Sequence, residues 1–379
     1  MRPCTTIASV LLLALAARAD DAPDDKSSLA LAERIEEAVN TGGDEMDAVM
    51  DVSGMVDRAM QGPDVGADVK KGFRSGVLST SLGSQLAGAV AEGARYTFLR
   101  RRVKDGKATL LFRLLLPSGS VNYHEYMIAK DGDGAKVDDL YIYLTGETFV
   151  RTIRREFLKT VAITSKAPAN LQGWEKDLFD NLDKLGEMTA ALRGGKFKQV
   201  LKLYGELPES VRNEKSTMMI RLSAAQQVGE KEYNRVLADW EKAFPGDASL
   251  DLMQIDLFFN QQKFDEVVQV LGRLSTRLDG DAFCDYLAGS VRLQQEKYQE
   301  ARIFADKSVE AEPGLREGYF LLLAVSLPQK DHEATVKALV TLETEFGVPV
   351  GDLSAEPGYE DFVKSAEYTA WLESRGGDK

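Results

Sequence analysis

A short phrase recurs four times in the second half of this chain, and it constrains the fold more than any other feature. A polar turn is followed by an aromatic residue, two polar residues, and then valine or alanine. The copies run from Phe197 to Val200, Tyr233 to Val236, Phe264 to Val267 and Tyr298 to Ala301. Their aromatics stand 36, 31 and 34 residues apart. A period of this size belongs to helix–turn–helix units that cannot bury an apolar face alone, so that successive copies must stack. Trp240, Ala243 and Leu271 fall where the second helix of a unit packs on its neighbours. A fifth unit begins at Tyr319, with His332 in the aromatic's place and Leu339 in its second helix. The segment Tyr359 to Leu372, carrying Phe362, Val363, Tyr368 and Trp371, is expected to be a helix that caps the last apolar face.

The fullest copy lies between Tyr286 and Pro313. Tyr286-Leu287-Ala288-Gly289 places small residues where two helices must approach. Gln294 to Ala301 gives the turn and the aromatic, and Glu310-Ala311-Glu312-Pro313 ends the unit. This spacing resembles the tetratricopeptide (TPR) repeat. The resemblance implies an all-α solenoid over residues 174–350, a capping helix and tail over 351–379, and a concave groove built from the first helices. Register to the repeat consensus puts Leu185, Arg221, Leu252, Tyr286 and Phe320 in one groove row. Thr189, Ala225, Asp256, Ser290 and Ala324 form the next. Arg221, Asp256, Tyr286, Ser290 and Phe320 are therefore the candidate partner contacts. Members of the family that bind chaperone tails clamp a C-terminal carboxylate with lysine and asparagine. Neither occurs in these two rows, so the groove is expected to take an extended peptide or a helix instead.

The front half has a different rhythm. Leu29 to Val39, Met46 to Met60 and Val69 to Ala91 each show helical apolar spacing. Four strand-like runs follow, from Tyr96 to Val103, Ala108 to Leu116, Val121 to Lys130 and Lys136 to Leu144. Asp105-Gly106, Pro117-Ser118-Gly119 and Asp131-Gly132-Asp133-Gly134 separate them. Connections this short force antiparallel neighbours. A further helix is expected from Glu147 to Leu158. Residues 28–159 thus read as an α+β domain, helices packed on a four-stranded antiparallel sheet. Residues 160–173, with small residues and Pro168, read as the linker to the repeats.

Helices followed by an antiparallel meander resemble the NTF2-like, or cystatin-like, cone. The run Val137 to Gly146, followed by Arg154-Arg155-Glu156-Phe157, is also similar to the end of the periplasmic phospholipid-carrier proteins. These resemblances imply an apolar pocket between sheet and helices, holding an apolar small molecule or a lipid. Tyr96, Arg100, His124, Tyr126, Tyr141 and Arg154 are the candidate ligand contacts.

His124, beside Glu125 and two tyrosines, has the makings of a general base. The alternative is a hydrogen-bonded strand histidine, on one sheet face with Asn122, Tyr126 and Ile128. His332 is the only other histidine, and with Cys284 it makes too few ligands for a zinc site. Asp131 to Gly134 departs from a calcium loop at Ala135 and Lys136, which leaves a hairpin turn. Arg100, Arg101 and Arg102 alternate in direction and cannot act as one cluster. No Gly-rich phosphate loop, nucleophile elbow or HExxH occurs. The sequence therefore reads as non-enzymatic, with no cofactor and no metal.

Composition adds two exclusions. The net charge of −13 makes nucleic acid and anionic membrane poor partners. Residues 1–19 have a basic start, a short apolar run from Ile7 to Ala16, and Ala17-Arg18-Ala19, the pattern of a signal peptide. Export, periplasmic or secreted, is the expectation, with an acidic flexible tail over 20–27 and no transmembrane segment after the leader. The function read from the sequence is a scaffold or adaptor that binds a protein or peptide through the TPR groove. A carrier or sensor of an apolar ligand, or an NTF2-like enzyme using His124, are the alternatives.

Overall fold

The structure, a computed structural model, describes residues 22–42, 44–164 and 168–376. The leader expected over residues 1–19 lies outside the described residues. The chain divides into two compact units, one ending at Ser249 and one beginning at Leu250. The first contains a five-stranded antiparallel sheet with helices, and the second is helical.

The first unit opens with α1 (Asp25–Asn40), capped by Asp24, whose carboxylate accepts from the Ser27 N–H at 2.7 Å. The acidic stretch expected as a flexible tail therefore starts a helix. The Ser27 hydrogen bonds hold the Asp24 carboxyl below its ordinary range. The helix expected over Met46 to Met60 is two, α2 (Asp44–Met50) and α3 (Val52–Ala59). Asp51 breaks it by taking a left-handed φ of 46°, and its carboxylate accepts from the Gly54 N–H at 3.1 Å. The helix expected over Val69 to Ala91 is likewise α4 (Ala67–Leu78) and α5 (Leu82–Ala91). Ser81 restarts it by accepting from the Ser84 N–H. In both places a single polar cap interrupts an apolar periodicity that runs on across it.

The sheet runs β1 (Arg95–Lys104), β2 (Lys107–Leu115), β3 (Val121–Asp131), β4 (Gly134–Ile142) and β5 (Glu147–Thr148), antiparallel in chain order. Four of these strands match the alternating runs. The fifth is only two residues long, too short to leave a pattern. Asp105 and Gly106 both take positive φ, 52° and 73°, which matches the twist of the β1–β2 hairpin. A bulge between Phe98 and Arg100 shifts the alternation of β1. Tyr96 and Phe98 consequently face the helices, as does Arg101, which donates to Ser28 Oγ and to the Pro23 carbonyl. Arg102 turns the other way, toward Glu125 and the Tyr143 hydroxyl.

One core joins the sheet to its helices. Ile35, Met46, Met50 and Met55 meet Leu110, Phe112, Tyr126 and Leu140, with Phe157 of α6 (Phe149–Thr164) closing one side. Unbranched methionines fill the irregular gaps between short helices and a twisted sheet.

Five helices and one short turn complete this unit: α7 (Gly173–Asp180), α8 (Leu182–Arg193), α9 (Phe197–Gly205), α10 (Glu209–Arg212), α11 (Lys215–Val228) and α12 (Glu230–Ala243). The compact division falls after Ser249, beyond the 160–173 segment expected as the linker. Thr160 to Thr164 instead finish α6. Arg154 pairs with Glu175 at 2.6 Å, Arg151 pairs with Glu214, and the Arg151 guanidinium lies 3.6 Å over the Trp174 ring. Such partly buried pairs tie α7 and the start of α11 to α6.

The remaining helices are α13 (Ala248–Asn260), α14 (Phe264–Arg277), α15 (Ala282–Gln294), α16 (Tyr298–Ala311), α17 (Arg316–Gln329) and α18 (His332–Thr344). Within the second unit α15 packs on both α16 and α17, and α17 packs on α18. A Cβ placed on Gly289 of α15 would stand 2.5 Å from Leu321 Cδ2 and 3.0 Å from Phe304 Cβ. Three helices can meet there only around a residue without a side chain.

One backbone feature repeats along the chain. Gly195, Gly229, Gln262, Glu296 and Lys330 take positive φ between paired helices, at intervals of 34, 33, 34 and 34 residues. At four of these turns the next N–H donates to the carbonyl five residues back. These bonds run from Lys196 to Ala191, Lys263 to Phe258, Lys297 to Arg292 and Asp331 to Ser326, at 2.8–3.0 Å. This is the Schellman closure of a helix end. The terminal helix α19 (Ala366–Gly376) begins later than expected from Tyr359. Phe362–Lys364 is a 3-10 turn, and Ser365 accepts from the Tyr368 N–H to start the helix. Phe362, Tyr368 and Trp371 still bury against Leu339 and Leu342.

Candidate functional site

The candidate ligand residues of the first unit separate into different surroundings. Tyr96, His124 and Tyr126 come together as a buried polar line inside the core. The Tyr96 hydroxyl lies 3.0 Å from His124 Nδ1 and 2.5 Å from the Tyr126 hydroxyl. Asn122 fixes the direction of this line. Its Oδ1 accepts from the N–H groups of Tyr123 and Leu144, both at 2.9 Å. Its Nδ2 therefore donates to His124 Nε2, at 3.2 Å. His124 must then carry its proton on Nδ1 and donate it to Tyr96, and Tyr96 donates onward to Tyr126. Both ring nitrogens are engaged within the protein.

Burial pulls the His124 pKa down to about 4 from the ordinary 6.5, and burial raises those of Tyr96 and Tyr126. Protonating His124 also sets an N–H against the Asn122 amide donor. The folded pKa lies below the unfolded one, so the unfolded chain binds more protons between pH 6.5 and 4. His124 thus adds stability that is fully present above pH 6.5 and is lost as pH falls toward 4. The difference is about 3 kcal/mol. Urea unfolding of the first unit is expected to show this pH slope in the wild type. His124→Gln should flatten it by that amount, and an unchanged slope would contradict the assignment.

The other three candidates are held elsewhere. Arg100 lies half-buried on β1 opposite Leu111. The Tyr141 hydroxyl donates to Asp247 at 3.0 Å and accepts from Lys215 at 2.8 Å. Burial, then Asp247, raise its pKa. Arg154 binds Glu175 and the carbonyls of Ala59 and Gln61. Between the sheet and its helices the structure places one buried apolar cluster, in which Ile35, Met50, Leu110, Phe112 and Tyr126 take part.

The candidate groove residues behave differently. Arg221, in the first unit, is buried, with its guanidinium 4.5 Å over the Tyr204 ring and 2.7 Å from Asp239. In the second unit, Asp256 and Ser290 line one cleft of about 270 Å³. Tyr286 is half-buried beside Phe283, with ring centroids 5.3 Å apart, and Phe320 is 42% exposed.

The cleft lies between α13 and α15 over α14. Val267, Leu271 and Val291 form its apolar floor, and Ile255, Phe259 and Leu287 its walls. Asp256, Ser290 and Gln294 supply the polar rim. Repeat register explains its position. Ile255 stands where Gly289 stands in the next pair, and Val267 where Ala301 stands. Branched side chains replace the small ones that let α15 and α16 close together. The groove rows read from the sequence contain Asp256 and Ser290 but miss Phe259 and Gln294. The signal is present, because Phe259 lies three residues after Asp256 and Gln294 four after Ser290, on the same helical faces.

Among the described residues, no group of three or more histidine, cysteine or acidic side chains is placed to hold a metal ion. Among the same residues, no helix is long and apolar enough to cross a membrane. No family model and no curated protein matches the chain.

Proposed function

We propose that this protein is a non-enzymatic adaptor that holds a segment of a partner protein in the cleft beside Asp256 and Ser290. The observation that carries this reading is an open cleft with an apolar floor of Val267, Leu271 and Val291, rimmed by polar groups and flanked by Phe259, a ring 42% exposed. Apolar pockets that bury a partner's side chain away from water are the usual form of an interface anchor point. The near-constant interval of the left-handed turns supports a TPR-like array in which such a groove is the working surface. The α+β domain, NTF2-like in this reading, serves as a structural body, a role supported by the single apolar core that its sheet and helices share. The leader-like pattern of residues 1–19 supports a place outside the cytoplasm.

The test compares proteins retained by the immobilised full chain with those retained by Ser290→Trp, which puts an indole into the cleft. A partner held by the wild type and lost from the variant, at unchanged thermal stability, is the expected result. Identical retention by both would refute the reading.

A further inference from the structure

The cleft's size and its one charged group say what kind of segment it takes. We infer that it accepts a single large aliphatic side chain from a peptide whose neighbouring lysine or arginine pairs with Asp256; this inference rests on the adaptor reading above.

Size comes first. A cavity of about 150 Å³ lined by aliphatic and aromatic side chains accommodates a benzene-sized group. Sites for cofactors and drug-sized ligands span about 300–1,000 Å³. At about 270 Å³ the cleft suits one leucine- or isoleucine-sized side chain with part of its backbone, and is small for a lipid chain or a nucleotide.

Charge decides the rest. Asp256 is the only ionisable residue lining the cleft, it is solvent-exposed, and it makes no ion pair among the described residues. The other two rim groups are neutral, and the Ser290 hydroxyl already donates to the Tyr286 carbonyl at 2.9 Å. A carboxylate beside an apolar socket, on a chain of net charge −13, attracts a basic neighbour and repels an acidic one. The rim carries no basic side chain to receive a C-terminal carboxylate, so the occupant is an internal segment.

The experiment is selection of a phage-displayed random peptide library on the intact protein, followed by binding of the selected phage to Asp256→Lys and Ser290→Trp. Asp256 is exposed, so its variant folds whether or not Ser290→Trp does. The expected result is a set of peptides pairing leucine or isoleucine with lysine or arginine, weakened at least tenfold by each substitution. Peptides lost on Ser290→Trp but retained by Asp256→Lys would overturn the basic-neighbour assignment while leaving the adaptor reading in place. Peptides indifferent to both substitutions, or no enrichment, would overturn both.

Discussion

Phe112→Ala is expected to cost the first unit about 3–5 kcal/mol, among the largest losses any single truncation here can produce. Phe112 is fully buried at the centre of the sheet. Its ring stacks on Tyr96 at 5.1 Å, meets Tyr126 edge-on at 5.2 Å, and touches Phe98 at 5.3 Å. Removing it leaves a cavity beside the Tyr96–His124–Tyr126 line, whose hydroxyls are placed by that packing. Hydrogen exchange at the β2 and β3 amides reads the loss locally. Phe259→Ala supplies the contrast. That ring is exposed on the cleft wall, so its removal should change stability by less than about 0.5 kcal/mol while weakening partner retention. Equal stability losses for the two phenylalanines would mean that the cleft wall is ordinary core.

Gly289→Leu is the second large effect. Even a bare Cβ at Gly289 would press on Leu321, Phe304 and the Ala301 carbonyl, so a leucine must separate α15, α16 and α17. Overpacking of this kind costs about 3 kcal/mol. Gly272, inside α14, is exposed, and a Cβ added there would meet nothing within 4 Å. Gly272→Ala should therefore stabilise its helix by about 1 kcal/mol, the ordinary propensity gain. Urea midpoints of the two variants should move in opposite directions, and a shared direction would contradict the packing described around Gly289.

These contrasts show what can be read from the chain. The helical pairs are visible because Phe197, Tyr233, Phe264 and Tyr298 recur at a period that packing enforces. The hairpin at Asp105-Gly106 is visible because two successive positive φ angles favour those residue types. The helix breaks at Asp51 and Ser81 are hidden, since apolar spacing continues through them and one side-chain cap decides the outcome. The left-handed turn residues are hidden for the opposite reason. Gln262, Glu296 and Lys330 adopt a conformation that glycine favours, held there by helix-end hydrogen bonds rather than by their own preference. In the first unit, strand alternation groups His124 with Tyr126, but only the structure shows Asn122 settling which nitrogen holds the proton. The cleft is half legible: Asp256 and Ser290 on its rim follow from register, whereas its volume depends on branched residues at Ile255 and Val267.

The most direct measurement is site-specific photo-crosslinking in cells that express the full chain, with a photoreactive residue at Phe259 and, separately, at Ile303. Ile303 is exposed on α16 and does not line the cleft. A covalent adduct with another polypeptide at Phe259, absent at Ile303 and abolished by Ser290→Trp, is the result this account predicts. Adducts of equal yield at both positions, or none at Phe259, would contradict it.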